Sequence, residues 1–162
     1  MERLLRPGLE RQRHAGDQGL QLRAPRAGAG VELDVYNLHA DAGGDAGDEN
    51  ARAQQFAQLA QDLRVRSAGR AVLVAGDTNL KAARARDAQV LLDFLGVAGL
   101  RDCAREVGNK PELIDRIMIR DGGGLRLRPT QWRTADEFVD AQGGPLSDHA
   151  AVHVTLAWEF SR

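Results

Sequence analysis

Cysteine occurs once in the 162 residues, at position 103, which rules out an intramolecular disulfide and any cysteine-built zinc centre. The plain reading of Cys103 is a small buried apolar residue. Charge of one sign is equally lacking: the formal net charge is −1, so no global positive field draws in nucleic acid, and any phosphate binding has to be local. Residues 1–30 have charges scattered throughout and no long apolar run, which excludes a signal peptide or membrane span there and places the chain, as written, in the cytoplasm. No Gly-x-Ser-x-Gly elbow is present, so Ser147, Asp148 and His149 do not make a serine-hydrolase triad by order alone. Aromatics, at 4%, are scarce, and none is interleaved with the six arginines of residues 1–30. That segment reads as weak strand pairs or disorder, its arginines as a solvated stretch or as a phosphate-binding arm.

What remains is an ordinary globular composition, 43% apolar and 28% charged with 18 glycines, in a length that suits one domain with a single substantial core. The alternation in Val31-Glu32-Leu33-Asp34-Val35-Tyr36 predicts a half-buried strand that ends on Asn37-Leu38-His39. A Gly- and Asp-rich loop follows, then a helix capped by Asp48 whose apolar stripe is Ala53, Phe56, Ala57, Ala60 and Leu63, with its Gln, Arg and Asp face in water. Val72-Leu73-Val74-Ala75 predicts a strand covered on both faces, so strand, loop, helix and strand follow one another as in an α/β unit. The basic run from Lys81 to Arg86 reads as a solvated face or as a phosphate attractor. A short second helix carries Val90, Leu91, Phe94 and Leu95 and stops at Gly96; a strand lies within 111–119; Gly122-Gly123-Gly124 is a hairpin-like turn into Leu125–Arg128; residues 129–146 form a long loop; and a last strand covers 151–158.

Four of these segments carry polar side chains at or next to one end of an apolar run. Gly76 lets the central strand turn out of the core, and Asp77 and Asn79, two apart in extended chain, are expected to share a face, a carboxylate beside an amide. The competing reading of Gly-Asp-Thr-Asn is an Asx-type turn. Asp115 interrupts an apolar strand at its start, where a carboxylate must be exposed, paired or functional. Taken singly, a lone histidine or a Ser-Asp-His turn carries little weight.

Taken together, Asn37-Leu38-His39, Gly76-Asp77-Thr78-Asn79, Ile114-Asp115-Arg116-Ile117 and Ser147-Asp148-His149 stand in an order and spacing that resembles the endonuclease/exonuclease/phosphatase superfamily, home of pancreatic deoxyribonuclease and the bacterial sphingomyelinases. The last motif comes with its surroundings, Phe138-Val139-Asp140 and Gly143-Gly144-Pro145-Leu146. The resemblance covers residues 31–158 and implies an α/β fold, a four-layer α-β-β-α sandwich, here incomplete. It implies hydrolysis of a phosphate ester, foremost a phosphodiester as in a nuclease or a sphingomyelinase-like enzyme, with Mg2+ or another divalent cation such as Mn2+. Position by position, it implies that Asp77 orients or deprotonates the attacking water and Asn79 holds a phosphoryl oxygen. Asp148, with Asp77, binds the metal. His149 and His39 contact the scissile phosphate, and Asp115 fixes the tautomer of His149. The substrate is then a phosphoester, nucleic acid or phospholipid among them, with no stable membrane insertion.

The resemblance also implies a first half that supplies an Asn and a metal-binding Glu, and Glu2, Glu10 and Glu32 lie in no matching motif. On that reading residues 1–30 are a weakly structured segment and 31–162 the C-terminal part of the domain, to which a complementary N-terminal half is an expected partner. The alternative function is a truncated, non-catalytic remnant or phosphate-binding module of the same fold.

Overall fold

A computed structural model describes residues 20–23, 32–109 and 113–161. Five strands form one sheet in the order β1-β2-β3-β5-β4: β1 Leu20–Arg23, β2 Leu33–His39, β3 Ala71–Asp77, β4 Arg101–Asp102 and β5 Asp115–Arg120. Helix α1, Ala46–Arg66, links the parallel neighbours β2 and β3, while β5 runs antiparallel to β3. Helix α2, Ala85–Ala98, and the single turn α3, Cys103–Glu106, lead into β4 and β5. Strands β6, Leu125–Thr134, and β7, Val152–Phe160, pair as a second sheet.

Strand alternation decides which residue meets which layer. On one face of the large sheet Tyr36, Leu38, Val72, Val74 and Met118 pack with Phe56 and Leu63 of α1 and Leu91 and Phe94 of α2, where the two phenylalanine rings meet edge to face at 5.0 Å. On the other, Ala71 and Ile119 join Leu125 and Leu127 of β6 and Cys103, whose thiol is pushed up to about 12, first by burial. Three layers are thus present among the described residues: helices, the larger sheet and the smaller sheet. This is the mixed α/β architecture that the motifs implied.

Several boundaries differ from the sequence reading for identifiable reasons. Helix α1 starts at Ala46, because Asp45 caps it and Asp48 returns the bond as the other half of a capping box. Its buried stripe is Arg52, Phe56, Leu59, Ala60 and Leu63, so one arginine assigned to the wet face is fully buried. Helix α2 runs through Gly96 and stops at Gly99, which takes the left-handed conformation (φ 65°) that ends helices. The triple glycine does not close a hairpin within one sheet; it carries the chain from the larger sheet to the smaller. Strand β6 continues past Pro129 to Thr134, the proline being accommodated at a register shift between Pro129 and Gln131, so Trp132 lies in a strand and not in a loop. Of residues 1–30 only Leu20–Arg23 is described, pairing antiparallel with β2; the arginine arm otherwise lies outside the described residues. No helix of the described residues is long and apolar enough to cross a membrane.

Candidate active site

The site is assembled by strand register. Parallel pairing of β2 with β3 sets His39 beside Asp77, and antiparallel pairing of β3 with β5 sets Asp77 opposite Asp115. His39, Asp77 and Asp115 therefore form a row across three strand tips, and the loop before β7 brings His149 over it. Directly opposed carboxylates on adjacent strands repel unless something between them is positive. Here His149 bridges them, its Nε2 3.9 Å from Asp77 Oδ2 and its Nδ1 2.8 Å from Asp115 Oδ2, while His39 Nε2 lies 3.4 Å from Asp77 Oδ2 on the other side. A carboxylate can only accept, so Nδ1 of His149 carries the hydrogen and donates it to Asp115. That bond, then the nearby charges of Asp115, Asp77 and Asp148, raises the His149 pKa above its ordinary value.

The backbone at the tip of β3 leaves no room for alternatives. Gly76 has φ +139°, and a Cβ there would lie 1.9 Å from the carbonyl oxygen of Leu38 on the neighbouring strand. Thr78, fully buried, donates both its backbone N–H and its hydroxyl to the carbonyl of Ile114, at 2.9 and 2.6 Å, and so ties the tip of β3 to the residue preceding Asp115. Sequence reading passed over this threonine, although its place between Asp77 and Asn79 was in view.

Asn79 sits where extended chain has already ended, in the left-handed region (φ 48°) that Asn tolerates better than most residues. Its N–H donates to Asp77 Oδ1 at 2.8 Å, the Asx-type turn, while its amide nitrogen reaches Ala40 O at 2.9 Å and Asp77 Oδ2 at 3.3 Å. The side chain returns to Asp77 by this turn and not by strand alternation. Its amide hydrogens are committed to Ala40 and Asp77, an arrangement that orients the carboxylate instead of presenting the amide to a phosphoryl oxygen. Asn37 is exposed two residues before His39 on the same face of β2.

Asp148 lines a cleft with Asp115 and His149 but is not among the three residues whose ligand atoms lie closest together. Among the described residues those three are Asp77, Asp115 and His149, whose ligand atoms all lie within 4.8 Å of one another. Asp148 accepts the Ser147 hydroxyl at 3.4 Å, and the same hydroxyl accepts the His149 N–H at 3.1 Å, a tight turn that aims the histidine inward. Two carboxylates and one imidazole nitrogen suit a divalent cation, with oxygen donors for a hard ion and nitrogen for a borderline one. This cleft, of about 360 Å³ beside the cluster, is lined by Asp115, Asp148, His149 and Lys81 over a floor that includes Ala83, Leu113 and Ile114. Lys81 is the one Lys or Arg of the Lys81–Arg86 run that lines it, beside Ala82 and Ala83.

Solved structures with this arrangement of layers are known. TDP2 of D. rerio, complexed with a single-strand DNA product, superposes with a TM-score of 0.66 at 20% identity, over 86% of this chain and 61% of that one. An endonuclease/exonuclease/phosphatase from Beutenbergia cavernae gives 0.62 at 17% identity, over 86% of this chain and 39% of that one. The fold is that of the endonuclease/exonuclease/phosphatase superfamily. In sequence, the chain is 38% identical over 146 residues to proteins named sphingomyelinase from Mycobacterium tuberculosis and Mycobacterium bovis. That match takes in 80% of this chain and 28% of the relatives, so the chain spans little more than a quarter of their length. No family model matches the chain.

Proposed function

We propose that the chain hydrolyses phosphodiesters with a divalent cation. The observation that supports this most is Asp77 Oδ2 within 3.4 Å of His39 Nε2 and 3.9 Å of His149 Nε2, with Asp115 locking the second ring from behind. In this reading Asp77 orients the attacking water and accepts its proton, with Asn79 holding the carboxylate still. His149, whose Nδ1–H is held by Asp115 and whose charged imidazolium form Asp115 favours, donates its Nε2–H to a non-bridging oxygen of the phosphate, and an Nε2–H of His39 serves the same phosphate. Asp77 and Asp115 would hold the cation, which supplies charge neutralisation at the phosphate and a lowered pKa for bound water. Lys81 adds a positive wall where an anionic ester enters the cleft. Catalysis of this kind rests on positioning and charge, which a rim of fixed strand tips provides.

Of the two substrate classes, a phospholipid phosphodiester is favoured over a nucleic acid, because the relatives at 38% identity are named sphingomyelinase while the DNA-bound neighbour is 20% identical. The net charge of −1 agrees, offering nothing general to a polyanion. Hydrolysis of bis(p-nitrophenyl) phosphate with Mg2+ or Mn2+, repeated with EDTA and with Asp77→Asn, tests the reaction; sphingomyelin vesicles and single-stranded DNA as parallel substrates test the class. Metal-dependent turnover abolished by Asp77→Asn is expected. Phosphate binding with no turnover by the wild-type chain would leave it a binding module.

A further inference from the structure

Arg52 is a charged residue in the apolar stripe of α1, and its side chain is fully buried. Its partner, Asp87, sits in the first turn of α2 and is 1% exposed. The guanidinium engages both carboxylate oxygens: Nε donates to Asp87 Oδ1 at 3.1 Å, and Nη2 donates to Oδ1 at 3.0 Å and to Oδ2 at 3.3 Å. Burying two charges to join two helices is a costly way to gain stability, since well-packed apolar residues often do as well or better. What apolar residues could not do is hold backbone. Arg52 Nη1 donates to the carbonyls of Asp41 and Gly43, in the loop that leaves His39, while Asp87 Oδ2 accepts the N–H of Lys81, in the loop that leaves Asp77. The same two loops meet at the site, where Asn79 bonds Ala40 O and the Ala40 N–H bonds Asp77 O.

We infer that Arg52 and Asp87 are positioning residues, a buried latch that fastens the loop after His39 to the loop after Asp77 and so fixes the spacing of the two strand tips on which the proposed hydrolysis depends. The kinetic part rests on that functional reading; the structural part does not. Neither residue touches the substrate cleft. The opposite end of the same strands supplies a control, because Arg70 there grips buried Asp34 at 2.7 and 2.9 Å without contacting either loop.

The test compares the double variant Arg52→Met/Asp87→Leu with Arg70→Lys. Each is measured by thermal melting, by amide hydrogen exchange at Ala40, Asp41 and Asn79, and by kcat and KM on bis(p-nitrophenyl) phosphate with Mg2+. The double variant is expected to melt near the wild-type temperature, to exchange those amides at least about tenfold faster, and to lose about ten- to a hundredfold in kcat with KM within about twofold, the signature of misplaced groups. Arg70→Lys is expected to melt lower with exchange at those amides and kcat unchanged. Wild-type exchange in a folded double variant overturns the latch, as does an equal loss of kcat in Arg70→Lys. If the double variant does not fold, Arg52→Lys replaces it, since one ammonium cannot serve Asp87 and two carbonyls with the guanidinium's fixed fork; wild-type exchange there overturns the inference as well. If the wild-type chain turns nothing over, the hydrolase reading falls and the exchange comparison still decides the latch.

Discussion

The two ends of strands β2 and β3 both carry aspartates and treat them in opposite ways. At the start, Asp34 is fully buried and answered in full: Arg70 donates to both its oxygens, the Ser67 hydroxyl donates at 2.7 Å, and Tyr36 is tied to Ser67 at 2.8 Å. Burial, with Asp34 nearby, holds the Tyr36 hydroxyl above its ordinary pKa, and Asp34 holds the Arg70 guanidinium above its own. At the other end, Asp77 faces Asp115 with no arginine among the described residues bonded to either; Asn79 and the histidines hold them, and His39 and His149 are 61% and 39% exposed. A matched acid and base taken out of water make an anchor. An excess of acid left at the rim, with His149 held above its ordinary pKa by Asp115, makes a site able to accept a cation or a proton.

Substitutions should separate the two ends, beginning with the largest effect. Asp77→Asn is expected to keep the fold, because the amide still accepts from the Asn79 N–H, and to lower turnover by about a thousandfold, as removal of a charge aimed at the transition state does. The measurement is kcat with circular dichroism as the folding check; retention of more than a tenth of the activity would put the base elsewhere. Gly76→Ala comes next and acts through the fold: a Cβ 1.9 Å from Leu38 O, at φ +139°, should cost about 3 kcal/mol in urea denaturation. A smaller loss, about 2 kcal/mol, is expected for Asp34→Asn, which takes a buried charge from Ser67 and Arg70. Its kcat should be unchanged, and a fall in kcat would mean that the anchor and the site are not independent.

The ends also differed in how far they could be read from sequence. Asp77, Asp115, His39 and His149 were legible only as a set, because their four motifs stand in an order and spacing that resembles the superfamily, whereas each alone reads as an ordinary turn or surface residue. That they share one rim depended on register, which pairs His39 with Asp77 and Asp77 with Asp115 and which no local pattern states. The latch was hidden for a related reason: Arg52 sits among Gln, Arg and Asp in sequence, and only α2, bringing Asp87 from 35 residues away, makes its burial affordable. Asn79 went to Asp77 and Ala40 because an Asx turn replaced the extended geometry that alternation assumes. Strand β6 outran its expected length because Pro129 is tolerated at a bulge, a compensation made by β7 and not by neighbouring residues.

The finest difference between the ends is their response to pH, and it is carried by His149. Its pKa is raised above the ordinary 6.5, first by the hydrogen bond to Asp115 and then by that residue's charge, so the folded protein binds this proton more tightly than the unfolded chain. The resulting stabilisation is fully present below pH 6.5, declines as pH rises, and is lost once pH passes the raised folded value. Because His149 is 39% exposed the effect on stability is small, so the ring itself is the better reporter. In an NMR titration without added cation, His149 should titrate above 6.5, and Asp115→Asn should bring it back toward that value, since an amide offers the ring an acceptor without the charge. Tyr36→Phe, at the anchored end, should leave the His149 curve where it was. If Asp115→Asn does not lower the His149 midpoint, the pairing at 2.8 Å does not set the charge of the ring, and the distinction between an anchored end and a titratable one loses its chief support.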